Sequence, residues 1–83
     1  MKQCYVFWPR VGGGSLETII EAKSRMQAGE MVAEILYIAG AAEMEFSDPP
    51  ASETHHDKGT FFVDYIVQES GAVRKVKIVP IPY

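Results

Sequence analysis

The residues best suited to chemistry begin with a glycine loop ahead of a segment of helical periodicity. Arg10 is followed after one residue by Gly12, Gly13, Gly14 and Ser15. A strand, a glycine turn and a helix N-terminus can together present backbone N–H groups to an anion. The loop lacks the Lys-Ser/Thr pair of a P-loop and the glycine spacing of a dinucleotide site. The stretch therefore predicts a flexible connector that ends in an N-cap, with a phosphate or carboxylate site assisted by Arg10 as the alternative.

A basic cluster near the C-terminus is the second candidate. Arg74, Lys75 and Lys77 fall within four positions of a segment rich in strand-forming residues. Cations beside exposed aromatic rings are typical of surfaces that bind single-stranded nucleic acid. Aromatic residues near the N-terminus could supply that stacking surface: Tyr5, Phe7 and Trp8.

The stretch His55-His56-Asp57, with Glu53 nearby, contains the atom types of a metal site. Adjacent histidines point apart in an extended chain, and no distant cysteine or histidine remains to complete a closed zinc site. We therefore predict a solvated loop and no metal.

Catalysis has little support in the sequence. A nucleophile, a base and an orienting acid would have to combine Cys4 or a serine with one of the histidines, and no spacing brings them together. Cys4 lies in an apolar segment, where a buried structural cysteine is the common outcome. We expect no enzymatic activity and no cofactor.

The composition fits one soluble domain of 83 residues, with 47% apolar and 23% charged residues. The net charge of −3 argues against a protein held to nucleic acid or anionic lipid by overall charge. A single cysteine fits a reducing compartment. Since neither a signal-peptide core nor a membrane span is visible, the sequence predicts a cytoplasmic protein without membrane contact.

The elements that must position these residues are clearest at the C-terminus, where residues 60–80 predict a β-hairpin. Two β-branched and aromatic runs flank Ser70-Gly71. A two-residue turn there pairs Tyr65 with Val76, and Asp64 with Lys77. One face of the hairpin is then almost entirely apolar and needs a cover, since an isolated ribbon is marginal. Pro80 is expected to end the ladder.

Residues 15–28 predict the main helix, which would supply this cover. Ser15 is suited to the N-cap, Gly29 to the position after the last turn, and acidic residues precede basic ones as the helix dipole favours. Its apolar stripe would pack on the hairpin: Leu16, Ile19, Ile20 and Met26.

Three further segments complete the chain. Residues 3–8 predict a first strand that ends at Pro9, either central or at an edge. Residues 30–46 fit a helix by composition and spacing, but a buried strand at 35–38 followed by an alternating segment fits equally well. Residues 49–59 predict a flexible loop.

Together these elements predict a single small α+β domain, with a mostly antiparallel sheet of three to five strands and one main helix on one face. One helix leaves apolar residues of the sheet uncovered, and these are interface candidates: Tyr5, Phe7, Phe62, Ile66 and Val79. We therefore expect a small non-enzymatic interaction protein that self-associates, as a homodimer, or binds a protein partner through a sheet edge or apolar sheet face. The alternative is an anion, nucleotide or nucleic-acid binding module that uses the glycine loop and the basic strand.

Overall fold

The computed structural model describes residues 2–12 and 16–82. It has one helix and five strands, in the chain order β1 (Gln3–Phe7), β2 (Thr18–Ala22), α1 (Arg25–Ala39), β3 (Ala41–Ser47), β4 (Phe61–Val67) and β5 (Val73–Ile81). The strands form one antiparallel sheet in the order β2-β1-β5-β4-β3. The predicted α+β class is confirmed.

The helix crosses one face of the sheet, because it connects β2 and β3, which lie at opposite edges. On that face, side chains from all five strands pack under buried residues of α1. The largest fully buried side chains of this core are Phe7, Val32, Leu36, Val63, Tyr65 and Ile78. Burial of each large side chain is worth roughly 1.5–3 kcal/mol, so this single core dominates the stability of the domain.

The helix does not occupy residues 15–28, and this prediction was wrong. The α-helix spans Arg25–Ala39, and its N-cap is Ser24, whose Oγ accepts a hydrogen bond of 3.1 Å from the Gln27 backbone N–H. Gln27 Oε1 in turn accepts a hydrogen bond from the backbone N–H of Lys23. Ser24 and Gln27 have the spacing of a capping box, which marks a helix start more specifically than a lone serine.

Thr18–Ala22 is a strand because its residues alternate between two environments. Ile20 and Ala22 are buried under α1, whereas Ile19 and Glu21 are exposed on the other face. The predicted helical stripe is therefore dispersed, and of its four residues only Ile20 joins the core; Leu16, Ile19 and Met26 are exposed.

The ambiguous segment 30–46 is helical up to Ala39, so the predicted strand at 35–38 was wrong, and only the alternating part after Gly40 lies in a strand, β3. This glycine has φ of 108°, and its N–H donates to the carbonyl oxygens of Leu36 and Tyr37. A residue with a Cβ is strained in this left-handed conformation, so glycine suits the end of the helix. Gly29, predicted to follow a helix, instead lies buried within one, where an added Cβ would be 3.2 Å from Phe46.

The predicted hairpin is present, but its register differs by two residues. Asp64 lies opposite Lys75, and Tyr65 opposite Arg74. Val67 N–H donates to Ala72 O, so the connection has four residues rather than two. A shift of two preserves which side chains share a face, so the apolar face was predicted correctly from a wrong turn. Pro80 was expected to end the ladder, but this was wrong: β5 continues to Ile81, and Pro80 lies opposite Tyr5 of β1.

The N-cap makes a testable contribution to stability. Replacing Ser24 by Ala removes the acceptor for the Gln27 N–H and should lower the free energy of unfolding by about 1 kcal/mol. Denaturant unfolding measures this loss. Ser52→Ala, in the exposed segment before β4, is the control and should leave stability nearly unchanged. Equal stability of the two variants would contradict the assigned start of α1.

Candidate binding surfaces

The sheet face opposite α1 has no covering helix in the described chain. Of the predicted interface residues, Phe62, Ile66 and Val79 lie on this face and are half-buried. Tyr5 and Phe7 lie on the helix side and are buried in the core, so they are not available to a partner. The outward side of β1 carries Cys4 and Val6 instead, and Val6 lies opposite Val79.

Phe62 is also in contact with side chains of its own chain. The His56 ring meets it edge-on at 5.5 Å between centroids, and Lys75 Nζ lies 5.0 Å from the ring centroid. The segment between β3 and β4, predicted as a loop over 49–59, forms neither helix nor strand, and through His56 it reaches the open face. Phe62 is therefore a poorer interface candidate than its position in the strand suggests.

The histidine pair lies closer together than predicted. The rings of His55 and His56 are 4.1 Å apart, and His56 Nε2 is 3.0 Å from Glu53 Oε2. Ligand atoms of these three residues lie within 4.8 Å of one another. Two imidazoles and a carboxylate could hold a transition-metal ion, but they are one ligand short of a closed zinc site. Asp57 is not in this group.

A notch opens in the sheet where β1 leaves β5. β4 lies opposite β5 along Val73–Ile78, but β1 lies opposite only residues 79–81. The chain turns away at Pro9, which cannot donate a ladder hydrogen bond. Beside residues 73–77 of β5 this leaves a cleft of ≈ 390 Å³. The cleft brings together Arg10 of the predicted anion site, the predicted basic cluster and an aromatic ring. Its lining residues are Trp8, Arg10, Val73, Arg74, Lys75, Val76 and Lys77.

Tyr65 fixes the position of Arg10, which lines the notch. Its hydroxyl donates to the carbonyl oxygen of Arg10 and accepts from the Arg10 backbone N–H, both at 2.9 Å. Tyr65 also lies opposite Arg74 in the β4–β5 ladder. One buried phenol thus places Arg10 beside the basic strand, although the two are more than sixty positions apart in the sequence.

The glycine loop is not followed by a helix, so the helix N-terminus on which the predicted anion site relied is wrong, while anion binding by the loop stays a prediction. The element after it is β2, and α1 begins ten residues beyond Ser15. Gly13, Gly14 and Ser15 lie outside the described residues. Gly12 is exposed, and Arg10 belongs to the notch.

The two edges of the sheet differ in their chemistry. β3 is interrupted by an irregularity between Ala42 and Glu45, where Glu43 has φ of 50°, and it carries two acidic residues. Bulges and charges of this kind hinder pairing with another strand. β2 keeps a continuous register with β1, contains neither proline nor lysine within Thr18–Ala22, and carries one acidic residue, Glu21. Its outer backbone groups are open to pairing.

A groove between α1 and β3 was not predicted. It measures ≈ 540 Å³, and its apolar lining includes Met26, Gly29, Ala33 and Phe46. Arg25 closes one end, where its guanidinium pairs with Asp48 and donates to Thr60 O. The groove depends on α1 spanning Arg25–Ala39 beside β3, so the predicted helix at 15–28 gave no indication of it.

Comparison with protein-family models, with curated proteins and with solved structures found no match to the chain. Among the described residues, no helix has the length and apolar character needed to cross a membrane.

The Tyr65 contacts can be tested by removing one oxygen. Tyr65→Phe leaves the Arg10 backbone N–H and carbonyl without their partner and should lower the free energy of unfolding by about 1–3 kcal/mol. Tyr37→Phe, on the exposed side of α1, is the matched control. If both variants unfold at the same denaturant concentration, Tyr65 does not anchor this segment.

Proposed function

We propose that this chain is a small non-enzymatic interaction protein of the cytoplasm that self-associates as a homodimer through the open edge of β2. The observation that carries the proposal is the contrast in regularity between the edges: β3 is interrupted by an irregularity and carries two acidic residues, whereas β2 keeps a continuous register and carries one, Glu21. An unblunted edge presents unpaired backbone N–H and C=O groups, whose natural complement is another strand.

The side chains around β2 also favour burial. Leu16 is 78% exposed and Ile19 is 58% exposed. Large apolar side chains that are exposed together beside an open edge favour contact with another protein surface. A second copy related by a two-fold axis would shelter Ile19 and satisfy the outer backbone groups of both strands. The edge is short, so a reversible dimer is expected rather than an obligate one.

Charge selects one register for the pairing. In a symmetric antiparallel pair of β2 strands, the two-fold axis passes through one residue, the centre of the pairing, which lies opposite its own copy. Residues that lie opposite each other then belong to the same face in both copies, so both helices lie on one side of the joined sheet. A centre at Ile20 sets Glu17 of each copy opposite Lys23 of the other. A centre at Ile19 would oppose Glu17 to Glu21, and a centre at Glu21 would oppose that residue to itself. Ile20 is therefore the favoured centre.

Charge reversal tests both the dimer and its register. By symmetry, Glu17→Lys and Lys23→Glu each turn two attractions into two repulsions, which should weaken dimerisation by about 1–2 kcal/mol, or roughly 5- to 30-fold in Kd. The double variant restores opposite charges and should recover most of the affinity. Light scattering across a dilution series measures the mass, with Glu34→Lys on the exposed side of α1 as the matched control.

Two results would contradict this proposal separately. A wild-type chain that stays monomeric at every concentration rules out self-association. A dimer whose dissociation is unaffected by both single reversals, or that the double variant fails to restore, rules out the register centred on Ile20.

A further inference from the structure

The notch beside β5 concentrates positive charge in an acidic chain. Four of the eight lysines and arginines line it, although the net charge is −3 and the chain contains eleven acidic residues. An acidic chain with so few basic residues would not be expected to place half of them in one cleft. A local excess of cations raises the concentration of anionic ligands at the surface even when the whole molecule is acidic.

These cations are available for a ligand. The ion pairs of the described chain involve Lys2, Arg25 and His56, and none uses a cation of the notch. Lys75 lies over the Phe62 ring and opposite Asp64, so it is partly engaged on the β4 side. The remaining cations of the notch, Arg10, Arg74 and Lys77, have exposed side chains, and no carboxylate of residues 2–12 or 16–82 lies at salt-bridge distance from them.

The notch also contains the single tryptophan of the chain. Trp8 is 47% exposed at the point where β1 ends, and it lines the same cleft as the cations. An indole face binds a nucleobase by stacking, which is worth roughly 1–3 kcal/mol per base and is insensitive to sequence. The cleft volume of ≈ 390 Å³ lies at the lower end of the range for small-ligand sites, a size suited to one nucleotide.

We infer that the notch binds single-stranded nucleic acid, with a base stacked on Trp8 and the neighbouring phosphates held by Arg10, Arg74 and Lys77. The aromatic ring favours this ligand over an acidic peptide or a free phosphate, neither of which offers a flat ring to the indole. A base-paired duplex keeps its bases stacked within the helix and is excluded on the same ground. The site lies within one chain and does not depend on the dimer.

The unique tryptophan makes the binding directly measurable. Titration with an oligothymidylate of about eight nucleotides should quench the Trp8 fluorescence and saturate. With three phosphate contacts, the logarithm of the binding constant should fall with the logarithm of salt concentration at a slope of about −2, and each lost contact should reduce that slope by about 0.7. Arg10→Ala, Arg74→Ala and Lys77→Ala should each weaken binding several-fold.

Matched variants separate this site from general attraction. Lys58→Ala removes an exposed cation outside the notch and should leave binding unchanged. Trp8→Ala, followed by anisotropy of a labelled oligothymidylate, should weaken binding about tenfold. Circular dichroism of each variant confirms that the fold is retained. Lys23→Glu disrupts the proposed dimer but should retain oligothymidylate binding, so the two proposals can fail independently.

Several outcomes would overturn the inference. These are the absence of quenching or an anisotropy change at millimolar oligothymidylate, equal affinity for a duplex or for polyglutamate, and tripolyphosphate binding as tightly as the oligonucleotide. Loss of affinity in Lys58→Ala equal to that in Lys77→Ala would likewise show nonspecific attraction rather than a site.

Discussion

The structure depends on one constraint: a single helix of fifteen residues covers a five-stranded sheet. Because α1 connects strands at opposite edges, it must cross the sheet, and all large buried side chains gather on the face that it crosses. The other face is left with half-buried residues such as Phe62, Ile66 and Val79. Among the described residues, no second layer of secondary structure covers this face.

Both proposed surfaces lie along the flank of a strand that has no neighbouring strand there, and neither is a catalytic constellation. At one edge, β2 keeps regular pairing to its last residue and remains open to another strand; at the centre, β1 turns away at Pro9 and exposes the flank of β5. A two-fold axis perpendicular to the sheet would give a ten-stranded sheet with one notch in each half, at opposite ends of the strand direction. A polymeric anion long enough to span them would then bind with the benefit of a high effective concentration.

The sequence predicts these features unevenly, for physical reasons. The apolar face of the β4–β5 hairpin is predictable because side chains alternate with a period of two, and a shift of two residues leaves the faces intact. The helix start was misplaced because Leu16, Ile19 and Ile20 fit a helical stripe as well as they fit a strand. The Ser24 and Gln27 spacing carried the correct signal. The basic strand was recognised, but its meeting with Arg10 depends on two hydrogen bonds to the Tyr65 hydroxyl, which no local pattern encodes.

The central claim, that β2 is the open edge and β3 the blunted one, is tested most directly by amide hydrogen exchange at two protein concentrations. In a strand with one neighbour, alternate amides point outward and exchange readily. We predict that the outward amides of Thr18–Ala22 exchange more slowly at high concentration than in dilute solution, while those of Ala41–Ser47 exchange at the same rate in both. Protection that grows with concentration in β3, or no concentration dependence in β2, would contradict the account.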